Sequence, residues 1–197
     1  MLEYVHATRA VNPAELERMR MQQVGRGPME QPPGLAMIAY LSLKELATSI
    51  SYRNTGAASG DAVCEALLTR IAADENLHTV FYRGLLEHAF SVWPDHTMRV
   101  LADTVRTFRM PGHAMPDFDR MSVSIAARGI YNRRIHHDDV LMPLLHSLGV
   151  PHLSDLGPDG ERAREELDAF LDGVNQAAVI EEDQLEALRP RFRQILA

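Results

Sequence analysis

Ile71-Ala72-Ala73-Asp74-Glu75-Asn76-Leu77-His78 is the stretch that decides how this chain is read. Around it, Val63, Leu67, Ile71, Phe81, Tyr82 and Leu85 recur at the three- and four-residue steps of a helix. Stepped at ~100° per residue they form one apolar stripe, with His78 near its centre and Glu75 toward one edge. The expectation is a long helix with that stripe turned inward. An ionised carboxylate facing a core is costly unless it is paired or binds a metal. Glu75 and His78 therefore mark a place where a core-facing helix carries polar groups for a reason.

The segment before it has a matching anomaly. Ile38, Leu41, Glu45, Thr48 and Tyr52 follow one another at helical steps, so Glu45 interrupts a second apolar stripe. Gly56 and Gly60 mark a turn between helices expected over 35–57 and 60–90. Glu45 lies about 13 residues before that turn and Glu75 about 17 after it. At ~1.5 Å per residue, an antiparallel hairpin brings them within roughly 6 Å along the axis. Two carboxylates and one imidazole then converge. Oxygen and imidazole donors of this kind suit iron or manganese, and Glu-x-x-His on an inward helix face is the half-site of di-iron carboxylate bundles. The competing reading is a hydrogen-bonded polar cluster. Asp74 is placed to hold a ligand histidine from behind, or is an exposed helix residue. Thr48, one turn from Glu45, is placed to hydrogen-bond a metal-bound oxygen species, or bonds back to its own helix.

The rest of the chain reads as helices separated by Gly and Pro. Residues 1–11 look like the tail of a helix, and Asn12-Pro13 opens a short one to about Val24. Gly25 to Gly34 is a loop, and Trp93-Pro94 ends the 60–90 helix. Further helices are expected over 95–108, 117–130, 133–148 and 159–187, with a break at Met110–Pro116. Period-two runs rich in Val, Ile, Thr and Tyr are missing, so the class is all-α. With 197 residues, one helical domain over 1–197 is the expectation.

Charge and cysteine content narrow the function classes. A net charge of −7 argues against nucleic acid as a partner. Cys64 is the only cysteine, which rules out an intrachain disulfide and fits a reducing cytoplasm, with a small buried thiol as its expected role. No apolar run approaches the ~18 residues of a membrane span. His136-His137-Asp138-Asp139 resembles a metal box, but neighbours on a helix point ~100° apart, so a solvated face is expected. His113 is expected to bond locally within its Pro-Gly loop. Arg106, Arg109, Arg133 and Arg134 read as scattered surface arginines, and Glu181-Glu182-Asp183 as an exposed helix segment.

Lys44-Glu-Leu-Ala-Thr48, Ser51-Tyr-Arg-Asn-Thr55 and Arg70-Ile-Ala-Ala-Asp-Glu-Asn-Leu-His78 resemble the second half of the soluble acyl-acyl-carrier-protein desaturases, the stearoyl type of plant plastids and their actinobacterial relatives. Met110-Pro-Gly-His-Ala-Met115 resembles that family's Met-Pro-x-His-x-Met turn, and Tyr131 to Leu171 follows its closing helices more loosely. The resemblance implies a ferritin-like bundle with a di-iron centre, in which Glu45, Glu75 and His78 match the second half-site. Thr48 matches a threonine implicated in oxygen activation. The implied activity is dioxygen-dependent insertion of a cis double bond into a fatty acyl chain on acyl carrier protein. Electrons would come from a ferredoxin-type donor, and homodimers are usual.

One departure limits that inference. The family carries a further Glu and a Glu-Glu-Asn-Arg-His type motif ahead of the part matched here, so two Glu and one His have no counterpart. Glu3-Tyr-Val-His6 is a rival half-site, but its register lies about two turns beyond the family motif. The expectation is a bundle with its first core helices absent and the apolar faces of helices 35–57 and 60–90 exposed. Alone, it binds iron poorly and does not desaturate. Two function classes stay open: a di-iron desaturase represented by its C-terminal portion, and a non-catalytic helical protein on the same scaffold.

Overall fold

In a computed structural model, every regular element of the chain is helical among the described residues, which are 2–9, 11–25, 32–113, 115 and 117–196. Side chains in these ranges are described for all but residues 2, 23 and 188–196. Most of the expected Gly25–Gly34 loop, and part of the Met110–Pro116 break, lie outside the described residues.

Two short helices, α1 (Leu2–Thr8) and α2 (Pro13–Gly25), precede the hairpin of α3 (Gly34–Ser59) and α4 (Ala62–Val92). Gly60 makes the turn between them at φ 66°, a left-handed conformation that favours glycine. Asp61 then caps α4 by accepting from the Val63 and Cys64 amides at 2.9 and 2.8 Å. The two helices approach closely because small residues line their contact. Ser42, Ser49 and Gly56 recur every seven residues along α3 and are all buried. The Ser49 hydroxyl donates to the Ala72 carbonyl at 2.9 Å. A Cβ at Gly56 would stand 3.1 Å from the Glu65 Cα. Carried along both helices, this register sets Glu45 level with Glu75, as the hairpin arithmetic expects.

The opposite face of α3, with Ala39, Leu43, Ala47 and Ile50, faces the main core. That core is completed by α5 (Pro94–Thr107), by the 133–147 segment and by α9 (Pro158–Leu196). Asp95 at the head of α5 accepts from the Gly157 amide at 2.7 Å and so caps α9 from outside the helix. Between α5 and the 133–147 segment lies α6 (Phe118–Ala127). The 133–147 segment is α7 (Arg133–Ile135) and α8 (Met142–Ser147) joined through a wide π turn over His136–Leu141. The sequence shows one uninterrupted helix there.

Four expectations need correcting. The α4 stripe of Val63, Leu67, Ile71, Phe81, Tyr82 and Leu85 is not the buried face. Leu68, Ala72, Thr79, Leu86, Ala89 and Phe90 fill that role, and Phe81 is 61% exposed. Periodicity identified the apolar stripe, but α3 is short of large side chains where it meets α4 and prefers the alanine-rich face. Cys64 is half-buried rather than a core thiol. His136 is not solvated: its ring stacks on Phe108 at 5.5 Å and an interplanar angle of 11°. Arg106, Arg133 and Arg134, with Glu181 and Glu182, read in sequence as unconnected surface charge but are paired across elements. Arg99 and Arg106 meet Glu166 at 2.7 and 3.0 Å, tying α5 to α9. Arg133 reaches Glu181 and Arg134 reaches Glu182, tying α7 to α9.

Candidate metal centre

Glu45 is supplied by the middle of α3, and Glu75 and His78 by successive turns of α4. One ligand atom from each comes together with the others, all within 4.8 Å of one another. His78 Nδ1 lies 3.1 Å from Glu75 Oε2 and 3.9 Å from Glu45 Oε2. Donors bound at ~2.1 Å to one ion stand no more than ~4.2 Å apart, so both separations already suit a shared first-row cation. Glu45 is the deepest of the three, its side chain 7% exposed, against 20% for Glu75 and 58% for His78. The cluster is thus closed on the α3 side and open past His78.

Electrostatics show how the three acceptors are tolerated. Burial raises the Glu45 carboxyl above its usual range, and the adjacent Glu75 carboxylate pushes the same way. Glu75 moves down, held by its hydrogen bond to Glu45 and by His78, with burial opposing. The two carboxyl groups titrate as a coupled pair, with the deeper Glu45 displaced upward and Glu75 downward. Lys44 Nζ lies 3.0 Å from Glu45 Oε1 and supplies positive charge from the flank. Lys44 was legible only as the residue beside Glu45, since its reach into the cluster depends on the α3 rotation.

The remaining sequence candidates sit as follows. Thr48 is half-buried beside Glu45, and its hydroxyl donates to the Lys44 and Glu45 carbonyls at 2.9 and 3.1 Å. Asp74 is on the exposed side of α4, 3.8 Å from Arg70 one turn back, and is not among the clustered ligand atoms. Glu3 and His6 are exposed on α1. Tyr4 of that helix interacts with Asp61 and Cys64 at the turn end of α4, roughly 16 Å along the axis from Glu75. His113 Nδ1 lies 3.2 Å from the Met110 carbonyl within its own loop, as expected. His137 lies 2.6 Å from Asp138, and the four residues 136–139 form no metal-ligand group among the described residues.

Comparison with known proteins bears on what this cluster belongs to. The sequence profile of a fatty acid desaturase family matches residues 1–195. A provisionally named acyl-acyl-carrier-protein desaturase of Mycobacterium tuberculosis, DesA1, is 41% identical over 198 residues, covering 96% of this chain and 57% of the relative. The chloroplastic stearoyl-acyl-carrier-protein 9-desaturase 1 of Arabidopsis thaliana is 34% identical, covering 84% of this chain and 45% of the relative. The stearoyl-acyl-carrier-protein 9-desaturase of Ricinus communis is 30% identical, covering 83% and 44%. The chain thus spans about half the length of the curated relatives it matches. Among the described residues, no helix is long and apolar enough to cross a membrane. With a profile match over nearly its whole length and a 41% identical relative, this all-α, ferritin-like chain belongs to the fatty acid desaturase family.

Proposed function

We propose that the protein serves dioxygen-dependent desaturation of a fatty acyl chain held on acyl carrier protein, with Glu45, Glu75 and His78 as one half of a di-iron carboxylate centre. The observation that carries this reading is the convergence of the three donors at one height on α3 and α4, in a chain of this family. The reaction removes two hydrogens from adjacent methylenes. With two electrons and two protons it reduces dioxygen to two waters. No acid or base among these side chains can take hydrogen from an unactivated methylene, so the chemistry calls for a redox metal, and iron when bound supplies dioxygen activation. The electrons come from a ferredoxin-type donor, and the setting is the cytoplasm.

Each residue then has a task. Glu45 and Glu75 offer the charge that a divalent cation would neutralise, adding to the positive charge of Lys44. His78 supplies the nitrogen donor on the open side. Thr48 sits one turn along from Glu45, and Asp74 is a flanking residue of the His78 turn. These three donors are one half of a two-metal set. The exposure of His78 is what favours a second reading, a non-catalytic protein on the same scaffold.

Anaerobic titration with Fe(II), followed by optical spectra and metal analysis, tests the reading. The wild type is expected to bind iron weakly, yet measurably more tightly than His78→Ala and Glu75→Gln. Equal retention by all three proteins would remove the metal role and leave the non-catalytic reading.

A further inference from the structure

We infer that Lys44 is a built-in stand-in for the metal: its ammonium holds the empty carboxylate pair together and competes with a divalent cation for the same charge. The inference rests on the metal reading above and adds what governs loading of that site. Three observations support it.

The first is placement. Lys44 Nζ lies 3.0 Å from Glu45 Oε1, while the other oxygen of that carboxylate, Oε2, is the one 3.9 Å from His78 Nδ1. The carboxylate is thus divided between an ammonium already in place and the donor set of α4. The charge of Lys44 also acts on Glu75 across the cluster. A cation held through Oε2 would leave two positive charges on one carboxylate, and like charges at that range repel.

The second is need. Glu45 is buried and Glu75 half-buried, and the two carboxyl groups interact directly. Carboxylates so placed repel, and a covered charge without a partner is destabilising. Among the described residues, Lys44 is the one permanently charged cation that pairs with either, since His78 is charged only when protonated.

The third is the residue type. The chain carries 20 basic residues, and Lys44 is its only lysine. Where ion pairs tie helices together, at Glu166, Glu181 and Glu182, the cation is arginine. Arginine grips a carboxylate with a rigid planar fork, whereas lysine is a compact charge on a flexible stem. The Lys44 side chain is 32% exposed, so the stem has a way out to solvent. A cation that must yield its place suits lysine better than arginine. The same charge therefore stabilises the empty site and opposes metal uptake.

Lys44→Met keeps the length of the stem and removes the charge. Thermal melts in EDTA, and Mn(II) titrations followed by electron paramagnetic resonance, compare it with wild type and with Lys44→Arg. In EDTA, Lys44→Met should melt about 2–5 °C lower, yet it should bind Mn(II) about tenfold more tightly. A lysine that only packed the fold would not move the two readouts in opposite directions. Lys44→Arg should match wild type in EDTA and bind Mn(II) no more tightly. Adding His78→Ala to Lys44→Met should abolish the gain, and a gain that survives there puts the ion elsewhere and overturns the inference. Should Lys44→Met unfold in EDTA, refolding by Mn(II) supports the inference and failure to refold overturns it. Mn(II) affinity unchanged or weaker in Lys44→Met gives the lysine a structural role alone, which overturns the inference and leaves the half-site intact. Lys44→Arg binding as tightly as Lys44→Met overturns it too, because charge then decides nothing. Mn(II) bound by none of these proteins sinks the metal reading as well.

Discussion

His136 ties the stability of the closing helices to pH, and its surroundings set the size of the effect. The imidazole lies against the Phe108 ring at the start of the π turn, with the Tyr131 hydroxyl 2.8 Å from Nδ1. Burial, with His137 adding to it, lowers its pKa from 6.5 to about 4. Burial and the nearby Asp139 push Tyr131 up, so its phenol stays protonated and donates to a neutral ring. Arg109, Arg133 and Glu181 line the same cavity, whose volume is about 380 Å³. In the unfolded chain the histidine titrates near 6.5, so between pH 6.5 and 4 the unfolded state binds the extra proton. Stability from this group is fully present above pH 6.5 and is lost as pH falls toward 4. A drop of that size corresponds to about 3 kcal/mol at most, less where solvent reaches the ring. Urea unfolding from pH 8 to 4 on wild type and His136→Gln reads it, because the neutral amide cannot titrate. The wild type should lose up to about 3 kcal/mol more than the variant across that window, other groups cancelling in the difference. Parallel curves for the two proteins would refute the buried, neutral imidazole.

Three further outcomes follow from packing and capping. Leu86→Ala empties a fully buried position in the main core and should cost 2–5 kcal/mol, about 5–15 °C in Tm by thermal melting. Gly56→Val sets a branched side chain against the Glu65 backbone and should cost about 1–3 kcal/mol, unless α3 and α4 separate freely, in which case Tm stays put. Asp95→Ala removes the acceptor for the Gly157 amide and should cost about 1 kcal/mol by urea denaturation. By contrast, Glu166→Gln removes the acidic partner of the half-buried Arg99 and the exposed Arg106 and should change stability by less than about 1 kcal/mol.

The hairpin was legible because its signals are local. Glycine at the turn, helical spacing and the 1.5 Å rise are enough to bring Glu45 and Glu75 level, and no tertiary information is needed. The helix ends came out within a few residues for the same reason, except that α9 runs on to Leu196. What lay beyond reach is whatever depends on which neighbour covers a face. His136 reads as a surface histidine beside His137 and two aspartates, yet a wide turn swings it onto Phe108 from a different helix. Glu166 and Glu181 sit in an acidic, helical stretch with nothing nearby in sequence to announce arginines from α5 and α7. The π turn leaves no trace at all, since His136–Leu141 has the composition of an ordinary helix.

The misread face of α4 follows from the same distinction and connects fold to site. A helix carrying two stripes, one of small residues and one of large ones, is expected to bury the large one. Here α3 meets α4 through Ser42, Ser49 and Gly56, a surface that accepts only a partner without bulk, so Ala72 and Thr79 turn inward and Phe81 turns out. The rotation that satisfies this contact also fixes the ligands. It drives Glu45 against α4, half-covers Glu75 and leaves His78 at the edge of the large-residue stripe. Site and stripe therefore share one boundary. Phe81 and Leu85 stand one and two turns beyond His78, so an element packed on them would lie beside the imidazole.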